Sequence, residues 1–402
     1  MEKFKVLFYL DKSIISKEPK GGPNGVGSMY YKEMQKRGEF IFDFIENDNP
    51  TVISGTKTLV RKLPNWINNI QREIRKRQMV IDLLTKKPKE TGICFDKYDI
   101  IFFHQAYDMY IERDKLKTYK GIVILQSHCP EPQSHEMYAL QSSFVKKTIP
   151  NLLKRYEKID EYAFERADYL IFPCEEAEEP YFKCWDYFKE LHTRKKDRIK
   201  FLLTGIVPAI AKRNRFKVLD ELNIPQDSFV ISYVGRHNSV KGYDILKNIA
   251  STYLQCDEGS WFVIAGKEYP LTRLNHPRWK EIGWTTDAHS YIKASDVFVL
   301  PNRETYFDLV MLEILSLGKI VVASRTGGNR YFENKGVKGV FLYDNEEEAI
   351  SLLKTIKAMT KEERNELEQA NIQFFQENCQ ASSMYDSCSS VLENIWEEYT
   401  KY

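Results

Sequence analysis

Twice along this chain a series of short apolar, β-branched runs alternates with longer helical stretches, and that alternation restricts the fold more than any other feature. A strand, a helix and a second strand in succession build a parallel sheet covered by helices on both faces, and the strands of such sheets are apolar on both sides. The first series is KVLFYL (5–10), FIFDFI (40–45), DIIFFH (99–104), GIVILQSH (121–128) and YLIFPC (169–174), with one long helix expected near residues 134–166. After LLTGIVP (202–208) the pattern restarts with FVISYVG (229–235), WFVIAGK (261–267), DVFVLPN (296–302), KIVVASR (319–325) and GVFLYD (339–344). The fold class is therefore α/β, with two separate doubly wound sheets.

At 402 residues the chain exceeds what one hydrophobic core usually supports. The expected division is a domain of residues 1–205, a second of 206–380, and a terminal helix 381–402 packing back on the first, with a linker near 203–212 where Gly205 and Pro208 punctuate the chain.

Hydrophobic residues at 43% and charged residues at 29% are globular composition, and the longest apolar runs are too short to cross a bilayer. The charged start MEKFKVLFYLDKS lacks a small-residue cleavage site, so it reads as a first buried strand and the expected location is cytosolic. Seven cysteines without a CxxC pair read as reduced thiols. A net charge of +2 argues against nucleic acid as a partner. The charge is uneven, however: residues 57–89 hold ten Lys or Arg and two acids among regularly spaced apolar residues. Two readings stand for that segment, an element lying on an anionic membrane surface or an exposed helical face with its apolar side in the core.

The strongest local chemistry is FVISYVGRHNSVKGYDIL (229–246). An apolar strand ends at Gly235, Arg236 follows at once, and Lys241-Gly242 opens a helix. Ligands of open α/β sheets bind at the strands' carboxyl ends, where a helix amino terminus adds N–H donors suited to phosphate. Two cations there suit a diphosphate. The second signal is DVFVLPNRETYFDLVMLEILSLGK (296–319), in which Glu313 lies among Val310, Met311, Leu312, Ile314 and Leu315. Burial is expected for Glu313, and a buried carboxylate needs donors such as the hydroxyls of a ribose.

The ordered set VGRHNSVKG, VIAGK, SDVFVLPN, YFDLVMLEILSLGK and VVASRTGG resembles the carboxy-terminal domain of family-four retaining glycosyltransferases, enzymes of the GT-B fold, over residues 229–330. The resemblance implies two Rossmann-like domains facing a central cleft, the first for the acceptor and the second for the nucleotide sugar. It implies that Arg236 and Lys241 hold the donor diphosphate and that Glu313, the second acid of the family's E-x7-E motif, takes the ribose. His128, closing GIVILQSH, resembles the family's cleft histidine; His104, closing DIIFFH, is a rival. The catalytic set so implied is Arg236, Lys241 and His128, and the donor-binding set is Gly22, Gly25, Gly235, Glu304, Thr305, Phe307, Asp308, Leu309 and Glu313.

The first acid of E-x7-E is missing. Eight positions before Glu313 stands Thr305, with Glu304 one residue out of register, and the family's usual glycine after Phe is Asp308. Any of Glu304, Thr305 and Asp308 can take the sugar-contacting role. In the first half, KGGPNGVGSMYYKEM (20–34) places Gly21, Gly22, Gly25 and Gly27 between the first strand and first helix, either as a loop approached closely by ligand or as a plain turn.

No D-x-D occurs, so a metal-bound diphosphate has no obvious ligands and neither a metal nor another cofactor is expected. The resemblance implies a retaining transfer of a hexose-like unit from a nucleotide sugar, a UDP-sugar by expectation, to a glycan, glycolipid or glycoprotein. The alternative is a catalytically silent GT-B partner subunit, motivated by the displaced acid. An oxidoreductase lacks its G-x-G-x-x-G, and a phosphorylase lacks a cofactor-anchoring lysine motif.

Overall fold

The computed structural model describes residues 4–17, 22–46, 65–85 and 92–401. They divide into two units. The first comprises the described residues up to Phe172, with Tyr181–Lys200 and Val391 onward; the second comprises Pro173–Pro180 and Phe201–Ser390. This division lies close to the expected boundary at 205/206 but gives the second unit a short segment, 173–180, from the first half. It also divides the final helix, Ala381–Thr400, between the two.

In the first unit β1 (Val6–Asp11), β2 (Asp43–Ile45), β3 (Ile100–Phe103), β4 (Ile122–Gln126), β5 (Tyr169–Phe172) and β6 (Ile199–Phe201) form a sheet of order β2-β1-β3-β4-β5-β6. In the second, β7 (Phe229–Val234), β8 (Ser260–Ala265), β9 (Trp279–Gly283), β10 (Val297–Leu300), β11 (Ile320–Ser324) and β12 (Val340–Tyr343) form a sheet of order β12-β11-β10-β7-β8-β9. All pairs of the second sheet are parallel, as are β1–β2, β1–β3, β3–β4 and β4–β5 of the first. The order reverses between β1 and β3 in one sheet and between β7 and β10 in the other. Crevices open outside the carboxyl ends of strands at such reversals.

A repeated device fixes the register. Asp99, Asp168 and Asp296 each precede a strand, and each carboxylate accepts a backbone N–H from the neighbouring strand segment: Lys5 N at 2.7 Å, Val123 N at 2.8 Å and Val230 N at 2.8 Å. A one-residue slip would forfeit a charge-assisted bond worth about 1.5–3 kcal/mol at each site. Residues of β3, β4, β5 and β10 are all buried, as their apolar runs require.

Two strands had no counterpart among the expected runs. β6 and β9 are edge strands, and WKEIG alternates in character because only part of an edge strand is covered. The single long helix expected near 134–166 is three: Gln133–Ala139, Ser143–Thr148 and Leu152–Arg166. Ser142 caps the second, accepting from Val145 N at 3.4 Å, while Pro150 and the left-handed Asn151 separate the second from the third. The expected linker is tied down. Ile206 pairs with Gln380 through N–H···O bonds of 2.9 Å to Cys379 and 3.0 Å from Ala381, and a Cβ on Gly205 would meet the Gln380 carbonyl oxygen at 2.2 Å.

Candidate active site

At the carboxyl end of the second unit's sheet the reversal brings together two loops, one following β7 and one following β10. The β7 loop leaves the sheet at Gly235, whose N–H donates to Ala265 O at 3.0 Å, and the Tyr233 hydroxyl donates to Arg236 O at 3.0 Å. The backbone of Arg236 is thereby fixed while its side chain is exposed. Asn238 Oδ1 accepts from Lys241 N at 2.9 Å, closing the turn into the helix Tyr243–Cys256. Gly242, capping that helix, has φ +62°, and a Cβ there would lie 1.7 Å from Pro301 O. Only glycine lets the cationic loop lie this close to the end of β10. Arg303 clasps the two loops: its N–H donates to Val240 O at 3.1 Å and its guanidinium to Ser239 O at 2.7 Å and to the Asp244 carboxylate.

Across this junction Lys241 Nζ is paired with Asp308 Oδ2, which also accepts from Asn302 Nδ2 at 2.8 Å. Asp308 Oδ1 caps the helix Leu309–Ser316, facing Val310 N at 3.4 Å. Burial alone would raise the Asp308 carboxyl's pKa, but the Lys241 ammonium and the amide donors outweigh it and hold the group below the usual carboxylate range.

The three candidates for the sugar-contacting role have separate fates. Glu304 is exposed, whereas Thr305 is 3% exposed and its carbonyl accepts from Gly328 N at 3.3 Å. Gly327 (φ +44°) approaches the same carbonyl so closely that a Cβ would meet it at 1.9 Å. Asp308 carries the ion pair. Phe307 packs over Phe332 with ring centroids 5.6 Å apart, and Leu309 is half-buried.

Glu313 departs from expectation. Its side chain is 34% exposed and its Oε2 lies 3.5 Å from His289 Nε2. The reason is helical phase: Val310, Glu313 and Ser316 lie on one stripe, which is half-exposed, while Met311, Leu312, Ile314 and Leu315 line the buried faces. The carboxylate is accessible, on the helix that Asp308 caps.

The first unit has its own cavity of about 300 Å³ at the carboxyl ends of its central strands. The glycines expected in a loop prove to lie in a helix, because Gly22–Arg37 is helical from Gly22 onward; Gly21 lies outside the described residues. Gly25 is buried, and a Cβ on Gly27 would meet Leu10 Cδ1 at 2.6 Å, so Gly27 serves close packing on β1. Pro23 and Asn24, in the first turn, line the cavity with His104, Gln126, Ser127, His128 and Asp160.

The two rival histidines touch, His104 Nδ1 lying 2.9 Å from His128 Nε2. Burial lowers both, His128 to about 4 and His104 well below its ordinary value, so the pair is neutral at pH 7, one imidazole donating to the other. His104 is stacked on Phe8 with centroids 3.9 Å apart. Asp160 is fully buried, and burial raises its carboxyl to about 6 against the opposing Ser134 N–H, which donates to Oδ2 at 2.7 Å. Asp160 Oδ1, His104 Nε2 and Gln126 Oε1 are buried without a partner. Unsatisfied polar atoms in such a cavity invite a hydroxyl-bearing ligand, which can both donate and accept.

Asn302, His289, Asp160 and the Gly327-Gly328 approach were not singled out from sequence. Asn302 lies two residues past a strand end, which was a usable signal; Asp160 lies inside an ordinary helical pattern and gave none.

Residues 228–361 match the family model described as glycosyl transferases group 1. An uncharacterised 41.2 kDa protein of the Klebsiella pneumoniae cps region is 24% identical over 312 residues, 75% of this chain and 80% of that protein. A lipopolysaccharide 1,2-N-acetylglucosaminetransferase of Salmonella typhimurium is 26% identical over 165 residues, 36% of this chain and 43% of that one, so the chain spans less than half of this relative's length. Among solved structures, a sucrose-phosphate synthase from Thermosynechococcus elongatus has a TM-score of 0.60 at 13% identity, covering 98% of this chain and 100% of its own. Anabaena HepE in complex with UDP-glucose gives 0.59 at 14%, covering 97% and 100%. Residues 228–361 are thus similar to the group 1 glycosyltransferases, and the fold of the chain is that of the GT-B glycosyltransferases.

Proposed function

We propose that the chain is a retaining, metal-independent glycosyltransferase that moves a sugar from a UDP-sugar to the acceptor of a surface glycan or glycolipid. The observation that carries this reading is the placement of Arg236 and Lys241 on one glycine-flanked loop at the β7/β10 reversal, with an accessible carboxylate, Glu313, on the helix that follows β10. The two cations and the amino terminus of Tyr243–Cys256 would stabilise the departing diphosphate, the task a metal performs elsewhere. Arg236 is exposed, and among the described residues no carboxylate pairs with its guanidinium. In the retaining step the glycosidic C–O bond to the diphosphate breaks as the acceptor oxygen attacks from the same face, and the leaving phosphate oxygen takes the acceptor's proton. Glu313 would hold the ribose hydroxyls. His128 and Asp160, in the first unit, offer hydrogen bonds to sugar hydroxyls.

The uridine donor is supported by the UDP-glucose held by the Anabaena neighbour, and the surface-glycan acceptor by the lipopolysaccharide enzyme among the relatives. Of the described residues no helix is long and apolar enough to cross a membrane. Attachment to the cytoplasmic face of an anionic membrane would fall to the helix Asn65–Thr85, which exposes Trp66, Ile70, Ile74 and Met79 together with Arg72, Arg75 and Lys76; residues 57–64 and 86–89 of the basic segment lie outside the described residues.

The test is donor hydrolysis or transfer by the purified protein across UDP-, GDP- and ADP-sugars. Turnover with a UDP-sugar that falls about 100-fold or more in Arg236→Ala supports the reading. A second reading, a silent partner subunit, is favoured by the burial of Thr305 where an acid is expected. Donor binding without turnover, alone and with added acceptor extract, would select it.

A further inference from the structure

Asp308 spends both carboxylate oxygens inside the site. Oδ2 takes the Lys241 ammonium and the Asn302 amide, and Oδ1 faces the Val310 N–H. Its side chain is 14% exposed and that of Lys241 29%, so water screens the pair only partly. The helix cap does not require the charge, because Asn caps as well as Asp. What the charge adds is neutralisation of Lys241. A diphosphate arriving at this loop meets one exposed cation, Arg236, and one whose positive charge is already claimed by a carboxylate reaching across from the β10 loop. Like charges brought within a few ångströms repel, and the protein anion and the phosphate would share one ammonium.

We propose that Asp308 is an affinity-setting residue, an internal anion that holds Lys241 when no ligand is bound and competes with the donor's diphosphate for that ammonium. The chain then grips nucleoside diphosphates less tightly than two uncompensated cations would, and the product leaves sooner. This inference rests on the donor-site reading of Arg236 and Lys241. It assigns Asp308 a role distinct from direct contact with the sugar: the residue acts through Lys241.

The experiment is calorimetric titration of the full chain with UDP, GDP, ADP and inorganic pyrophosphate. Asp308→Asn keeps the cap and an acceptor for Lys241 but removes the charge; whichever probe binds the wild type should bind this variant about tenfold tighter. The gain should vanish in Asp308→Asn combined with Lys241→Met. Asp308→Ser, which also caps, guards against an effect peculiar to asparagine. Unchanged or weaker binding in folded Asp308→Asn and Asp308→Ser overturns the proposal, while loss of binding in Arg236→Ala in the same series shows that the donor site itself stands. Should no probe bind the wild type, or should Arg236→Ala bind as the wild type does, the donor-site reading fails and this inference fails with it.

Discussion

His104 Nδ1 and His128 Nε2 lie 2.9 Å apart, so the first unit stores two imidazoles that share a single hydrogen bond and have no room for a second charge. Protonating both would place two cations in contact. The pair predicts a specific pH signature. A histidine lowered to about 4 in the fold and near 6.5 when unfolded binds more protons unfolded, so its contribution to stability is present above about pH 6.5 and lost as pH falls toward 4. Asp160, raised to about 6, runs the other way in the same window, since its neutral form is favoured in the fold. His104, lowered as well, runs with His128, so the His128 contribution is read from the difference between a variant and the wild type. Relative to wild type, His128→Gln should gain about 2 kcal/mol in denaturant unfolding as pH falls from 6.5 to 4. Parallel profiles for the two proteins would contradict the neutral pair.

Gly242→Ala should be among the most damaging single-atom additions in the second unit. The alanine would need φ near +62° and its Cβ would sit 1.7 Å from Pro301 O, so the loop must move. A loss of at least about 2 kcal/mol in unfolding free energy is expected. Donor affinity should fall with it, because Lys241 is the preceding residue. Gly283→Ala, also at positive φ but with open space around it, is the control and should cost about 1 kcal/mol.

Glu313→Gln should weaken nucleotide binding about tenfold, seen as a raised donor KM, and leave kcat within about threefold. The ribose lies away from the bond that breaks. A kcat collapse at unchanged KM would place Glu313 at the reacting centre instead.

Vesicle flotation should report on Asn65–Thr85. Binding to liposomes rich in anionic lipid is expected for the wild type and should drop when Arg72, Arg75, Lys76 and Arg77 are neutralised, at about 1 kcal/mol per basic residue near the surface. Trp66, 64% exposed, gives a second readout through its fluorescence. Binding unaffected by the neutralisation would mean that the basic face is merely solvated. Near its carboxyl end the helix has a structural task already, since Val80 packs with Val145, Ile149, Leu152, Tyr156 and Ile159.

The sequence carried the central strands because burial on both faces leaves uninterrupted apolar runs such as Ile100–Phe103 and Val297–Leu300. It did not carry β6 and β9, whose edge positions permit mixed residues, nor the breaks at Ser142 and Pro150-Asn151, where a cap and a left-handed turn outweigh continuous helical periodicity. The placement of Arg236 and Lys241 on the loop after β7 was legible from the apolar run that precedes them. The pairing of Lys241 with Asp308 was not, because it depends on which strands become neighbours, and a one-dimensional pattern does not state the order β10-β7. Glu313 was misjudged because eight residues hold little more than two helical turns, and the phase of so short a helix is set by what it packs against.

That same strand order bears on synthesis. The ribosome releases the loop at Lys241 well before Asp308, 67 positions later, so the loop must wait as a half-built shelf until β10 slots in beside β7. Until then Lys241 has no Asp308 to pair with, and only molecules that have completed this insertion carry the joined pair of loops.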